Sequence, residues 1–255
     1  DEEIAYDKLR ENLAWWGGTR LSGVVVLGSN GEFAYLSPDE KMKLVTVVRE
    51  ALPKDKAVIA GTGVETTRET IELTRLAEKA GVDAVSILTP YFINPNDDQL
   101  FEHFKAVAES TSLPIHVYTN PARTNLKISP ALLARLAQVK GIVGIKDASG
   151  DLELTAEYIR VTPPGFSVLM GRDTLIYAGL SYGTRGGIAA TANVKPALVA
   201  SIYDKYMAGD LEGALQAQRE LAPLRLAFVW GTFPVVIKEA LNLMGMDVGP
   251  CRAPV

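Results

Sequence analysis

One pattern recurs along the chain and limits its fold more than any other. A short apolar run ends in Gly, Thr or a polar loop, and an amphipathic stretch of helical period follows. The runs are GVVVLG (23–28), AVIAGTG (57–63), AVSILTP (84–90), PIHVYTN (114–120), GIVGIKD (141–147), SVLMGRD (167–173) and GGIAATAN (186–193). Each is rich in Val and Ile and continuously apolar, as parallel strands covered on both faces are. Helix starts are legible between them. Ser37-Pro38-Asp39-Glu40 has the capping-box spacing with Pro at the first helical position, Thr66 to Glu69 repeats it, and Ser129-Pro130 opens a further helix. Ala5, Leu9, Leu13 and Trp16 fall on one face of an N-terminal helix.

The run ends are nearly evenly spaced: 30 residues from Leu88 to Tyr118, 28 from Tyr118 to Lys146 and 25 from Lys146 to Gly171. That is the length of one strand–loop–helix–loop unit, and seven such units favour a β/α barrel over a doubly wound sheet. The expected fold is α/β, a (β/α)8 TIM barrel over residues 1–210, with a C-terminal helical extension over 211–255 that holds extra helices at 211–228 and 232–245. A barrel of this kind needs eight strands and the sequence offers seven. Because the chain opens directly on a helix, the first strand is expected to be absent from this sequence, leaving strands 2 to 8. The end at GPCRAPV is similarly abrupt.

Composition excludes several function classes. The 255 residues carry a net charge of −4, and no long Lys/Arg run matches a nucleic-acid backbone. No stretch approaches the ~20 apolar residues of a membrane span, and the N-terminus does not read as a signal peptide. The single Cys251 leaves no internal disulfide framework, so a reducing, cytoplasmic setting is expected. Two separated histidines and one cysteine give no metal cluster at useful spacing.

In a β/α barrel the active site lies at the carboxyl ends of the strands, so the residues standing there are the candidates. Lys146 ends the run GIVGIK. Strand alternation puts Ile142, Gly144 and Lys146 on one face, with Gly144 expected to leave space beneath the lysine. A desolvated amine loses pKa and can attack a ketone to form a Schiff base; a surface lysine paired with a carboxylate such as Asp147 fits the pattern equally well. Tyr118 ends the preceding run at the corresponding level, where a phenol could shuttle protons for the amine or simply pack at the rim. The loop Gly28–Phe33, GSNGEF, offers Ser29 and Asn30 as donors to a carboxylate, although an ordinary turn between strand and helix explains it as well. It lacks both the phosphate-loop lysine and the dinucleotide spacing. Arg123, in NPARTN, suits a second carboxylate or plain solvation. His103 and His116 read as helix and core residues.

Taken in order, GSNGE, TPYF, VYTNPART, GIKDASGD and TAN resemble the dihydrodipicolinate synthase / N-acetylneuraminate lyase family over nearly the whole chain. The resemblance implies a β/α-barrel class I aldolase with three C-terminal helices, commonly tetrameric. It implies Lys146 as the Schiff-base lysine, Tyr118 as the proton-shuttling tyrosine, and Ser29 and Asn30 as the loop binding the pyruvyl carboxylate. Ile188 matches a position whose backbone carbonyl lines the site, Arg123 the arginine that binds the second substrate's carboxylate in synthases, and Asp173 a position that meets substrate hydroxyls in lyases. Two departures stand out. Synthases usually carry TPYY, whose second tyrosine reaches across a subunit interface, and here Phe92 has no hydroxyl. GSNGE replaces the usual GTTGE and, with the KD pair and GPCRAP, looks more like 4-hydroxy-2-oxoglutarate aldolases, which generally lack the arginine.

The implied reaction needs neither metal nor organic cofactor, only a covalent lysine–substrate imine. Lys146 condenses with the C2 carbonyl of a 2-oxo acid, and the iminium serves as electron sink for cleaving or forming a C–C bond between pyruvate and an aldehyde. The leading expectation is a lyase acting on a 4-hydroxy-2-oxo acid. The nearest alternative is 4-hydroxy-tetrahydrodipicolinate synthase, which joins pyruvate to aspartate semialdehyde. A dehydratase of deoxy sugar acids, a pyridoxal-phosphate barrel and an inactive 2-oxo-acid-binding barrel are the other readings. The expected partners are pyruvate, an aldehyde and further copies of the chain as a tetramer or dimer, with the Tyr91-Phe92 loop as an interface element.

Overall fold

In the computed structural model, which describes residues 2–255, seven parallel strands follow one another in sequence order around a single sheet. The order along the chain is α1 (Tyr6–Gly17), β1 (Gly23–Val26), α2 (Pro38–Ala51), β2 (Ala57–Gly61), α3 (Thr67–Lys79), β3 (Ala84–Leu88), α4 (Asp97–Glu109), β4 (Ile115–Thr119), α5 (Pro121–Thr124), α6 (Pro130–Leu136), β5 (Ile142–Asp147), α7 (Leu152–Val161), β6 (Ser167–Met170), α8 (Ile176–Tyr182), β7 (Gly186–Gly187), α9 (Pro196–Met207), α10 (Leu211–Ala227) and α11 (Val235–Leu243). Every strand pairs with the next, and among the described residues β1 and β7 are the two edges. This is an incompletely closed (β/α)8 barrel of seven strands with C-terminal helices, the fold read from the repeat.

The helix starts read at Ser37, Thr66 and Ser129 are capped, although Thr66 lacks the reciprocal half of a capping box; the caps at Asn96 and Asp151 were not among the expectations. Ser37 caps α2 in a full capping box with Glu40, and Asn96 does the same for α4 with Gln99. Thr66, Ser129 and Asp151 each accept an N–H from the first turn of their helices. The main core lies between β1–β5 and their helices and includes the fully buried Val58, Val85, Ile87, Phe104, Ile115, Val117 and Ile145. A second cluster joins Met170 and Ile176 to Ile202 and Leu221 of α9 and α10. A third gathers Val194, Phe228, Ile237 and Leu241. Trp16 of α1 packs into the first and the third, and its indole N–H donates to the Asn193 carbonyl at 3.0 Å. The N-terminal helix thus ties the β1 edge to the segment after β7.

The seventh run departs from expectation. Only Gly186 and Gly187 of 186–193 form a strand, and Ala190–Asn193 is a 3-10 turn. Gly186 has φ +150°, a conformation that other residues rarely adopt. Thr191, instead of extending the strand, bonds to Asp173 through both its N–H (2.7 Å) and its hydroxyl (2.6 Å).

Candidate active site

The site is built at the carboxyl ends of β4 and β5. Their register places Tyr118 directly opposite Lys146, and the Lys146 Nζ lies 4.1 Å from the centre of the Tyr118 ring. Lys146 is half-buried, whereas Tyr118 is 8% exposed. The ring is held by Leu88 and Ala148, with Phe33 and Tyr91 packed against the same cluster. Asp147 does not pair with the lysine. Alternation turns it to the opposite face, where its carboxylate accepts from the Thr155 hydroxyl (2.7 Å) and the Ser149 N–H (2.9 Å). No carboxylate pairs with Lys146 among the described residues, which removes the surface ion-pair reading at this position.

Gly144 serves a different purpose from the one expected. A Cβ there would stand 2.5 Å from the Ser167 carbonyl oxygen and 2.6 Å from the His116 ring. The glycine therefore permits close strand approach, and the volume beside it is filled by His116. Burial lowers the pKa of that imidazole, and its Nδ1 is buried without a partner among the described residues.

Tyr118 is electrostatically distinct. Burial, the largest influence, raises its pKa. The Lys146 charge, with hydrogen bonding from Ser29, Asn120 and Lys146, outweighs burial and brings the phenol below the ordinary tyrosine value of 10.0. Asn120 donates its side-chain N–H to the Tyr118 oxygen at 2.9 Å. This residue carried no assignment in the sequence, although it stands two positions past Tyr118 in the quoted VYTNPART. Tyr91 is driven the opposite way, by burial and by its contact with Glu65. Two tyrosines of one cluster are thus pushed apart in acidity.

Ser29 and Asn30 lie in a 3-10 turn, Ser29–Gly31, directly after β1. Within the turn the Gly31 N–H donates to the Gly28 carbonyl at 2.9 Å and the Glu32 N–H to the Ser29 carbonyl at 3.3 Å. The side-chain oxygen of Asn30 is buried without a partner among the described residues, a condition folded chains seldom tolerate without a purpose. Ile188 is half-buried just past β7, its N–H donating to the Met170 carbonyl at 2.9 Å. Arg123 is exposed on α5, and its guanidinium stacks 4.2 Å from the Phe233 ring, with no carboxylate paired to it among the described residues. Asp173 is 2% exposed, and its carboxylate is occupied by Thr191 and by Arg225 at 3.4 Å. The structure therefore brings Lys146, Tyr118 and Ser29 together, sets Arg123 on the rim, and engages Asp173 within the chain. Phe92, in the left-handed region at φ +73°, is 95% exposed.

The profile of the dihydrodipicolinate synthetase family matches residues 2–255. The chain belongs to this family. Its relatives include the 4-hydroxy-tetrahydrodipicolinate synthases of Methanothrix thermoacetophila, 40% identical over 255 residues that span 100% of this chain and 86% of that protein, and of Archaeoglobus fulgidus, 39% identical over 256 residues that span 100% and 87%. Among solved structures, the 4-hydroxy-tetrahydrodipicolinate synthase of Methylacidiphilum fumariolicum SolV superposes with a TM-score of 0.97 at 36% identity, covering 100% of this chain and 85% of that one. Dihydrodipicolinate synthase DapA-2 of Bacillus anthracis gives 0.96 at 32%, covering 99% and 87%. Family membership makes the chain a carbon–carbon lyase, a pyruvate-dependent class I aldolase working through a Schiff base. Among the described residues no group of three His, Cys, Asp or Glu is placed to hold a metal ion, and no helix is long and apolar enough to cross a membrane.

Proposed function

We propose that this chain joins pyruvate to aspartate semialdehyde, the 4-hydroxy-tetrahydrodipicolinate synthase reaction, rather than cleaving a 4-hydroxy-2-oxo acid. The observation that carries this reading is Arg123. Its guanidinium is exposed on α5, braced by Phe233, and paired with no carboxylate among the described residues. A planar fork free on the rim suits a carboxylate held bidentately at a distance from the reacting carbonyl. The aldehyde of aspartate semialdehyde is separated from its carboxylate by two carbons, whereas glyoxylate, released from 4-hydroxy-2-oxoglutarate, carries the two groups on adjacent atoms. The relatives named above support the same substrate.

In this reading the Lys146 amine attacks C2 of pyruvate, and loss of water leaves an iminium. Ser29 and Asn30 hold the pyruvyl carboxylate, with Ile188 lining the site. Tyr118, made more acidic than an ordinary phenol, takes the proton from C3 to give the enamine. The enamine carbon attacks the aldehyde, and the new alkoxide takes up a proton that Tyr118 can return. Asn120 and Ser29 stabilise the phenolate that takes the C3 proton and that is restored once the alkoxide has been protonated. Asp173 has no part in this scheme, because its acceptor atoms are already used. The reading extends to a homo-oligomer in which a neighbouring copy covers Phe92 and Ile93, 95% and 77% exposed here; light scattering of the purified protein tests this.

The test is a side-by-side assay with pyruvate plus aspartate semialdehyde and with 4-hydroxy-2-oxoglutarate. The expected result is turnover of the first pair at a kcat/KM at least about tenfold above the second, with Arg123→Ala raising KM for the semialdehyde but not for pyruvate. Faster cleavage of the oxoglutarate derivative sinks the assignment. Lys146→Ala is expected to abolish both turnover and borohydride trapping of pyruvate while keeping the wild-type circular dichroism.

A further inference from the structure

The turn that carries Ser29 and Asn30 is flanked by two non-glycine residues in the left-handed region, Leu27 (φ 58°) and Glu32 (φ 52°). Such conformations persist where the surroundings over-determine them. For Glu32 the surroundings come from the far end of the chain. Its Oε2 accepts from the Lys238 Nζ of α11 at 3.0 Å, and its Oε1 accepts from the Arg252 backbone N–H at 2.9 Å. Both partners of the ion pair are largely buried, Glu32 at 12% and Lys238 at 17% exposure. Lys238 also donates to the Pro250 carbonyl at 2.6 Å. The Arg252 guanidinium in turn donates to the carbonyls of Tyr35 (2.8 Å) and Glu2 (2.6 Å and 3.0 Å) and pairs with the Glu40 carboxylate. The segment 250–252 is thereby fastened to the residues that follow the turn, Glu32, Tyr35 and Glu40, and to Glu2.

We infer that Glu32 is a positioning residue for pyruvate binding: it fastens the Ser29–Gly31 turn to Lys238 and to the C-terminal segment Pro250–Arg252. The inference rests on the reading of Ser29 and Asn30 as the carboxylate-binding turn and of Lys146 as the imine-forming amine. Glu32 follows the turn directly, and Ser29 reaches the Tyr118 phenol. Releasing the Glu32 carboxylate therefore frees the donors that must meet a carboxylate while β4 and β5, which hold Lys146 and Tyr118, stay in place. Loss of fixed donor geometry weakens binding of the anion more than the chemistry that follows it.

The experiment titrates pyruvate against borohydride trapping at Lys146, read by intact mass, for wild type, Glu32→Gln and Lys238→Met. Thermal melts and pyruvate KM and kcat are measured alongside. Glu32→Gln keeps the size and one acceptor atom but loses the ion pair, and Lys238→Met leaves the Arg252 N–H bond intact. Half-saturating pyruvate is expected to rise about tenfold in Glu32→Gln and about threefold in Lys238→Met, the scale of a charge-assisted hydrogen bond lost or weakened. Trapping at saturating pyruvate and kcat are expected to stay near wild type. As a second readout, Cys251 lies inside the fastened segment and is partly buried. Because the thiol itself touches Glu32 and feels the Lys238 charge, this readout is taken in wild type, where alkylation is expected to slow once pyruvate is trapped. Wild-type half-saturation in both folded variants overturns the inference, as does a lowered melt with unchanged half-saturation. Wild-type protein that traps no pyruvate overturns the Lys146 reading and this inference with it, so the two failures are distinct.

Discussion

Tyr118 owes its acidity to named neighbours, so each can be removed and its effect measured. The phenolate forms as pH rises through a pKa below 10.0. The kcat/KM profile should accordingly climb along an acidic limb set by Tyr118. Tyr118→Phe is expected to lower kcat by about 10²- to 10⁴-fold and to erase that limb, while slow trapping of pyruvate at Lys146 survives. Asn120→Ala removes one of the groups that lower the phenol's pKa and is expected to move the limb to higher pH, with stopped-flow or steady-state pH profiles as the measure. At this scale the sequence was legible where strand alternation alone decides direction: Lys146 and Tyr118 end adjacent parallel strands, and pairing brings them face to face. Asn120 was not legible, because its role depends on how the chain turns between β4 and α5. Nor was the crowding at Gly144, since the His116 ring comes from another strand.

Individual elements are joined to the barrel by a few buried polar contacts. The Asp173 carboxylate binds the turn after β7 through Thr191 and α10 through Arg225, and its backbone carbonyl accepts from Gln218 at 2.9 Å. Asp173→Ala is expected to cost about 2–4 kcal/mol, because it leaves Thr191 and Arg225 without their acceptor. Differential scanning calorimetry measures this, and a raised KM with an unchanged melt would instead assign Asp173 to substrate. Glu40 supplies a pH-dependent counterpart. The Arg252 guanidinium, followed by the Ser37 N–H, holds its carboxyl at about 2, below the ordinary 4.5. A lowered carboxyl pKa stabilises the fold at any pH above about 4.5, and that contribution disappears as pH falls towards about 2. Glu40→Gln is expected to flatten the melting temperature across that window relative to wild type. The capping box made the start of α2, which carries Glu40, readable from spacing alone. The pairings of Asp173 with Thr191 and of Glu40 with Arg252 were not readable, being 18 and 212 residues apart in sequence.

Across the whole molecule, seven strands, their order and the C-terminal helices follow from hydrophobic runs at regular spacing, because each unit obeys the same local constraints. The exception is the shortened β7, where Gly186 and the pull of Asp173 on Thr191 override β-propensity. The proposed substrate choice was less legible, since the proposal rests on a rim arginine whose brace, Phe233, lies far along the chain. The contact between Trp16 and Asn193 makes the molecule its own optical probe. Of the three tryptophans, Trp15 and Trp230 are 40% and 84% exposed, whereas Trp16 is packed and its indole N–H is engaged. Trp16 is expected to dominate the blue side of the emission band, a component that Trp16→Phe removes. Because its acceptor lies five residues past Ile188, pyruvate binding that shifts this stretch would be reported as a change in blue fluorescence, without any label attached.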